Sequence, residues 1–476
     1  VEKLFGLKKN GTTVRTEIIA GLTTFMTMAY IIALNPNILT NFHSSGTPEL
    51  WNGIFLATCI ASAIGMFVMA FFANKPFALA PGMGLNSFFA VVVGNIAAIT
   101  CVDYDNAFQA ALCIILIEGV IFFILSVLNV REKIVESIPL GVRLGISPAI
   151  GLMLLNIGFG SNAQVFGGEE GTPFTVMANF FGALTPSQLK DQMGESYETM
   201  VLTVVTMFIG LFVIIILAHK GIKASVLLGM LAASVVYWAG EAIFFGNNPF
   251  ASLEDASFVP AFGDMADTTL FKFDFSTFFD IGIFTAVTLI ITFCIIDMFD
   301  TIGTLVGTAS RAGMIDDKGN MPNMKEALIS DSVATIAGSV SGTSTVTTFV
   351  ESASGVAAGG RTGLTALTTG VLFLACTFIA PVAAIIPSAA TSSALIYVGI
   401  LMMSGLKKID FDDISQLVPV VLMLISMPIS SSIGHGIGLG LISYTIIKLF
   451  TGKAKEVSIL TYAISLLFLV KFFLIV

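Results

Sequence analysis

Ser341-Gly342-Thr343-Ser344-Thr345-Val346-Thr347-Thr348-Phe349-Val350-Glu351-Ser352-Ala353-Ser354-Gly355 carries a single charge, and the chain around it is apolar. Residues 343–350 favour a strand, and a run of small residues follows Glu351. Extended backbone at membrane depth is tolerated only where protein or an enclosed cavity satisfies it. A carboxylate at that depth costs roughly 2.5–3.5 kcal/mol on insertion scales. The stretch therefore predicts a broken membrane segment: a short strand, then a half-helix with Glu351 at its N-terminal end. The free N–H groups and positive dipole at such an end stabilise an anion or receive a ligand's acceptor atoms. Glu351 is a candidate to bind a ligand, to carry a proton, or to do both. The structural alternative is a helix cap.

Composition agrees with a membrane setting. Of 476 residues, 55% are hydrophobic and 11% charged, and mean hydropathy is +0.94. Soluble proteins carry roughly 25% charged residues. The expected class is an all-α polytopic membrane protein with one large integral domain. Residues 1–16 are polar and basic, and the apolar run after them is long enough to span, so no removable signal peptide is expected there. The net charge of −9 hides a segregation of signs. Lys3, Lys8, Lys9, Arg15, Lys75, Arg131, Lys133, Arg143, Lys220, Lys223, Lys318, Lys325 and Arg361 fall on one set of alternating loops. Glu49, Asp103, Asp105, Glu169, Glu170, Glu195, Glu254 and Asp264 fall on the other, with Lys190 and Lys272. The positive-inside rule then puts the N-terminus in the cytoplasm. The basic residues report topology, and nucleic-acid binding is not expected. The cysteines and histidines show no metal-ligand or disulfide spacing, so no metal or other cofactor is expected.

Apolar segments fall near 18–39, 52–72, 77–98, 107–128, 138–158, 199–218, 223–245, 279–307, 326–341, 343–358, 362–386, 391–405, 413–430 and 433–450. A last run, 457–475, contains Lys471 and could span or lie along the interface. Segments 77–98 and 343–358 are irregular in the same way: each opens on a short β-prone stretch and continues into small residues. Paired broken segments are the best sequence pointer to a transporter's binding site. The halves also resemble each other in order. Residues 56–65 match 328–338, 23–30 match 291–298, and 226–236 match 437–447. Ile138-Pro139 corresponds to Ile386-Pro387. Seven segments per half is an odd number, so the second half must enter from the opposite side. The prediction is fourteen transmembrane segments in a 7+7 inverted repeat.

Segment 279–307 places Asp297, Asp300 and Thr301 on one helical face, at i, i+3 and i+4. Either aspartate could instead cap a neighbouring half-helix. The counterpart of the Glu351 region is 80–89, where Asn86 offers a donor and an acceptor and Phe88 or Phe89 could stack on a flat ring. In a chain with 41 Phe, lipid-facing or core roles compete with that reading. Asp331 and Glu118 are also intramembrane. Asp331, which follows a basic loop, is expected near the cytoplasmic surface, and both are expected to bond between helices. Residues 359–363 read as a tight cytoplasmic turn rather than a phosphate cradle, because no strand–loop–helix unit surrounds them.

Residues 82–90 (GMGLNSFFA), 295–307 (IIDMFDTIGTLVG) and 347–367 (TTFVESASGVAAGGRTGLTAL) together resemble the AzgA-like purine permeases. These belong to the nucleobase–ascorbate transporter superfamily, with the bacterial uracil permease. The resemblance covers nearly the whole chain. It implies core and gate domains: core in 1–130 and 278–388, gate in 131–250 and 389–476, with an extracellular loop at 251–277. Short antiparallel strands in the third and tenth spans would meet beside the substrate. Glu351 matches the glutamate that bonds the base, Asp297 an acidic position of the eighth span, and Asn86 a polar position of the third. Ala29 would face the site from the first span, with Phe88, Thr301, Phe349 and Ser352 beside it. Thr301 departs from the histidine of the uracil permease, so Asp297, Glu351 and Asp300 are all candidates for the coupling proton.

The resemblance thus implies a proton-coupled purine nucleobase importer, not an enzyme, working by alternating access in the bacterial inner membrane as a homodimer. A purine presents ring N–H donors, N or O acceptors and flat faces, which suit carboxylates, backbone amines and Phe. A sulfate-permease-like anion transporter is the alternative on the same fold, and it should offer basic or neutral groups. A channel should show a continuous polar lining, and an intramembrane enzyme a catalytic pair.

Overall fold

The computed structural model describes residues 1–41, 45–131, 138–160, 196–254, 256–311, 314, 321–430 and 432–474. Glu169, Glu170, Lys190, Glu195, Lys133 and Lys318, used above for topology, lie outside the described residues. The protein is mostly helical. Among the described residues, 11 helices are long and apolar enough to cross a membrane. Three of the fourteen expected segments fall short, each for a physical reason. Met324–Ser341 buries Ser330, Asp331, Ser332, Thr335 and Ser339, so its polar face lowers its hydropathy. Residues 343–358 are strand and half-helix. Ile414–Ser430 is apolar but has only 17 residues. The last run forms the helix Ile459–Leu474.

The first segment, expected as one piece over 18–39, is two helices, Val14–Met28 and Ile31–Leu39, with Ala29 and Tyr30 between them. Just before the break, the Thr24 and Thr27 hydroxyls donate to the carbonyls of Ala20 and Thr24. Such back-bonding loosens a helix ladder.

The chain divides into two compact units: Val1–Ile138 and Phe258–Ala380 with the chain from Val470, and Pro139–Ser257 with Pro381–Leu469. In the second unit, Gly151 and Gly399 bring the helices Leu140–Phe159 and Ser388–Met402 together. A Cβ on either glycine would lie 2.7 Å from the other's carbonyl oxygen. Beside them Tyr197, Met200, Val204, Met207, Leu211 and Ile396 form an apolar cluster.

The first unit is organised around two short strands, β1 (Leu79–Pro81) and β2 (Val346–Thr348), paired antiparallel with Ala80 opposite Thr347. All six residues are buried. Pro81 has no N–H to offer the ladder. The pairing extends beyond both ends, as Gly82 N–H donates to Thr345 O (3.1 Å) and Phe349 N–H to Ala78 O (2.9 Å). β1 leads through Gly82 into the helix Met83–Thr100, and β2 leads through residues 349–351 into Ser352–Ala357. The 359–363 turn contains Gly359 at φ +106, and its Arg361 and Thr362 amides donate to the buried Glu17 carboxylate.

The 251–277 segment, expected as a loop, contains the short helices Ala251–Glu254 and Phe262–Thr268 and leads into Phe275–Asp280. Thr269 packs against Gly342, the residue that ends Met324–Ser341 at φ +105. A Cβ there would collide with the Thr269 side chain and adopt a left-handed conformation. Gly342→Ala is therefore expected to cost about 2–4 kcal/mol, from the conformational penalty plus overpacking. Thermal unfolding in detergent measures this, and an unchanged midpoint would contradict it.

Candidate functional site

Residues 343–352 form a hub. Asn35 Nδ2 donates to the Thr343 hydroxyl (2.9 Å). The Ser344 hydroxyl donates to Asn86 Oδ1. The Thr345 hydroxyl donates to Glu118 Oε2 (2.8 Å). Thr347 Oγ1 lies 2.6 Å from Thr301 Oγ1. The Thr348 amide and hydroxyl both donate to Asp331 Oδ1 (3.0 and 3.2 Å). The Tyr30 hydroxyl donates to Glu351 Oε1 (2.7 Å), and Ser352 Oγ accepts from the Ala78 amide (2.9 Å). One broken segment thus links Asn35, Asn86, Glu118, Thr301 and Asp331 from five helices of the first unit. Buried polar groups must be paired in this way to be tolerated.

Two expectations need correcting here. Arg131 was counted among loop cations that report topology. It is instead fully buried, with Nη2 3.1 Å from Asp331 Oδ2 and 3.6 Å from Asp297 Oδ2. Its guanidinium lies over the Phe122 ring, 4.1 Å from the centroid. A planar cation with apolar stacking faces can be buried where lysine could not. Asp331, expected near the cytoplasmic surface, is fully buried and gathers donors from Arg131, Thr347 and Thr348, with Thr301 Oγ1 2.9 Å from its Oδ2. So many charge-assisted bonds offset its desolvation.

The remaining singled-out residues lie in the same unit. Glu351 directly precedes Ser352–Ala357 and is half-buried. Asp297 is fully buried and accepts from the Thr301 hydroxyl (3.0 Å). Asp300 is half-buried and turned towards Gly82, where a Cβ would lie 3.5 Å from its Oδ2. Both ends of the Asn86 amide are engaged inside the protein, as Nδ2 donates to Pro81 O (3.2 Å). Phe88 is buried against Phe293, with ring centroids 4.7 Å apart, and Phe349 is buried beside β2. Ala29 sits at the break of the first segment. Asp331 and Glu118 bond to other elements as expected, but Tyr30 and Arg131 were not among the residues singled out from sequence. A tyrosine beside Ala29 in an apolar run was the available signal for Tyr30.

A bundle of apolar helices holding a broken, carboxylate-bearing segment is the architecture of a multi-pass membrane transporter. The chain belongs to the Permease family, which matches residues 15–437, and within it to the nucleobase–ascorbate transporters that its motifs resemble. It is therefore a transporter rather than an enzyme. It is 36% identical to the adenine permease AdeP of Escherichia coli over 99% of this chain and 95% of that one. It is likewise 36% identical to the guanine/hypoxanthine permease PbuO of Bacillus subtilis, over 99% and 100%. Among solved structures, the transmembrane domain of a cyanobacterial bicarbonate transporter, BicA, matches with a TM-score of 0.63 at 15% identity, over 88% of this chain and 97% of that one. The murine anion transporter Slc26a9 matches with a TM-score of 0.61 at 13% identity, over 92% and 68%. At these identities the structural likeness shows the fold alone.

Proposed function

We propose that the protein imports purine nucleobases by proton symport and alternating access, with Glu351 as the carboxylate that holds the base. The observation that carries this is the contrast in access among the acids of the hub. Glu118, Asp297 and Asp331 are fully buried, whereas Glu351 is half-buried with one oxygen oriented by Tyr30. A carboxylate presented in this way suits the N–H edge of a purine. Ala29, Asn86, Phe88, Phe349 and Ser352 would complete the contacts. Asp297, screened by Thr301 and facing Arg131, suits proton coupling better than contact with the base, and Asp300 lies between the two roles. The names of the relatives, adenine permease and guanine/hypoxanthine permease, support the purine class.

The first unit would be the core and the second the gate. Fourteen segments in two inverted repeats are supported by the two strand-to-helix units of β1 and β2. The reading includes a homodimer in a bacterial inner membrane with a cytoplasmic N-terminus. The structural neighbours are anion transporters, but a reachable carboxylate at the end of β2 disfavours an anionic cargo.

Uptake of radiolabelled adenine, guanine, hypoxanthine, xanthine and uracil into proteoliposomes, with cross-competition, tests the substrate class. Absence of purine uptake sinks that class, and uptake indifferent to a protonophore removes the proton. Tyr30→Phe deletes a charge-assisted hydrogen bond and should lower kcat/KM about tenfold. Uptake kinetics equal to wild type would show that Tyr30 plays no part in positioning Glu351.

A further inference from the structure

The hub holds more buried acid than its one cation and its hydroxyls can serve. Glu118, Asp297 and Asp331 are all fully buried, and Arg131 is the one cation paired with them among the described residues. Asp331 takes the largest share of the donors: Arg131, the Thr348 amide, and the Thr347 and Thr348 hydroxyls. Thr301 Oγ1 lies 3.0 Å from Asp297 Oδ1 and 2.9 Å from Asp331 Oδ2, yet it has one hydrogen to give. It can satisfy one of these carboxylates only.

Glu118 is served least. Its Oε2 accepts from Thr345, while Oε1 is buried with no hydrogen-bond partner among the described residues. Asp297 Oδ2 also lacks one, although Arg131 Nη2 stands 3.6 Å away. The charged and titratable groups facing Glu118 are Asp297 and Cys294 from Ile283–Arg311, Asp331 from Met324–Ser341, and Arg131. Among the described residues, no three His, Cys, Asp or Glu side chains converge to hold a metal ion. The ligand that fits a single orphaned carboxylate oxygen in this setting is a proton.

We propose that Glu118 is a second proton site, separate from the base-holding Glu351, and that β2 reads its occupancy through Thr345. The inference rests on the symport reading above. Thr345 directly precedes β2 and follows Ser344, whose hydroxyl bonds Asn86. Protonated Glu118 carries no charge, keeps the Thr345 contact and leaves a single O–H for a neighbouring acceptor. Ionised Glu118 demands further donors, and Thr345 is the group placed to move towards it. The adjacent Ser344–Asn86 bond would feel that movement, so proton loading and the base-facing side of the strand are mechanically joined.

Two measurements on the full chain test this. The first is independent of any cargo: the infrared carbonyl band of a protonated buried carboxyl, followed between acid and alkaline pH. A component of that band is expected to vanish in Glu118→Gln and persist in Glu351→Gln. Spectra unchanged by Glu118→Gln overturn the proposal, whatever the substrate proves to be. The second is purine transport in proteoliposomes. Glu118→Gln, which keeps the Thr345 contact, should exchange purine at equal pH with affinity within about threefold of wild type, yet accumulate it about tenfold less under a pH gradient. Accumulation equal to wild type, or loss of exchange together with accumulation, also overturns it. Should Glu118→Gln fail to fold, Glu118→Asp is the second variant. It should still accumulate purine but with a displaced pH profile, and an unmoved profile would count against the site. Wild-type protein that takes up no purine while the infrared component behaves as expected would leave Glu118 a proton site and sink only the purine reading.

Discussion

Glu351→Gln is expected to abolish high-affinity purine binding while leaving the fold intact. A carboxylate accepts at both oxygens and can receive two N–H groups of a base, whereas an amide has one acceptor and turns an N–H towards the same edge. A hydrogen bond to a charged group contributes about 1.5–3 kcal/mol, and a mismatched buried donor costs about as much again. The expected loss of affinity is therefore at least about 100-fold, on a scale where 1.4 kcal/mol is a factor of ten. The amide oxygen can still accept from Tyr30, so the start of Ser352–Ala357 should hold. Equilibrium binding of labelled purine to purified protein measures the effect. Affinity within threefold of wild type would remove Glu351 from the site and, with it, the carboxylate reading of the cargo.

Arg131→Met should have the largest effect on stability. The substitution keeps a long apolar stem against Phe122 but leaves Asp331 without its guanidinium and removes the charge nearest Asp297. Breaking a buried ion pair from one side typically costs about 3–5 kcal/mol, because the remaining charge stays desolvated. Adding Asp331→Asn removes that charge and keeps an oxygen for the Thr348 amide, so the double variant should regain most of the loss. The non-additivity is the signature of a direct pair. Unfolding midpoints in detergent read it out. If Arg131→Met unfolds like wild type, or if the second substitution adds to the damage, the pair does not carry the load assigned to it.

The sequence reading succeeded where the local pattern is self-contained. An extended, β-branched run ending in an isolated glutamate and small residues reads as strand then half-helix, and β2 followed by Ser352–Ala357 is what the chain forms. The β-prone opening of segment 77–98 is where β1 forms, whereas its antiparallel pairing with β2 was implied only by the family resemblance. Asn86 and Asp297 were visible as polar groups in apolar runs. Arg131 was not, because a basic residue just past a span obeys the positive-inside rule whether it faces water or turns back into the protein. Only the packing of Phe122 and two distant aspartates decides between them. Asp331 misled for a related reason: nearness in sequence to Lys325 and Glu326 says little about depth once a helix begins. Tyr30 was passed over because its partner lies 321 residues away, a separation no local pattern reports.

The strand pair also has a consequence for how the protein is made. Residues 79–81 expose backbone groups that find their partners only in 346–348, on the far half of the chain. At a synthesis rate of roughly 5–20 residues per second, β1 waits on the order of tens of seconds before β2 leaves the ribosome. Throughout that interval the early segments cannot settle in hydrocarbon with an open strand edge. They must be sheltered by the insertion machinery, by neighbouring helices or by water at the interface. The decisive step in forming the first unit therefore waits for the far half of the chain, and truncation anywhere before residue 346 should leave a nascent chain that quality-control proteases recognise.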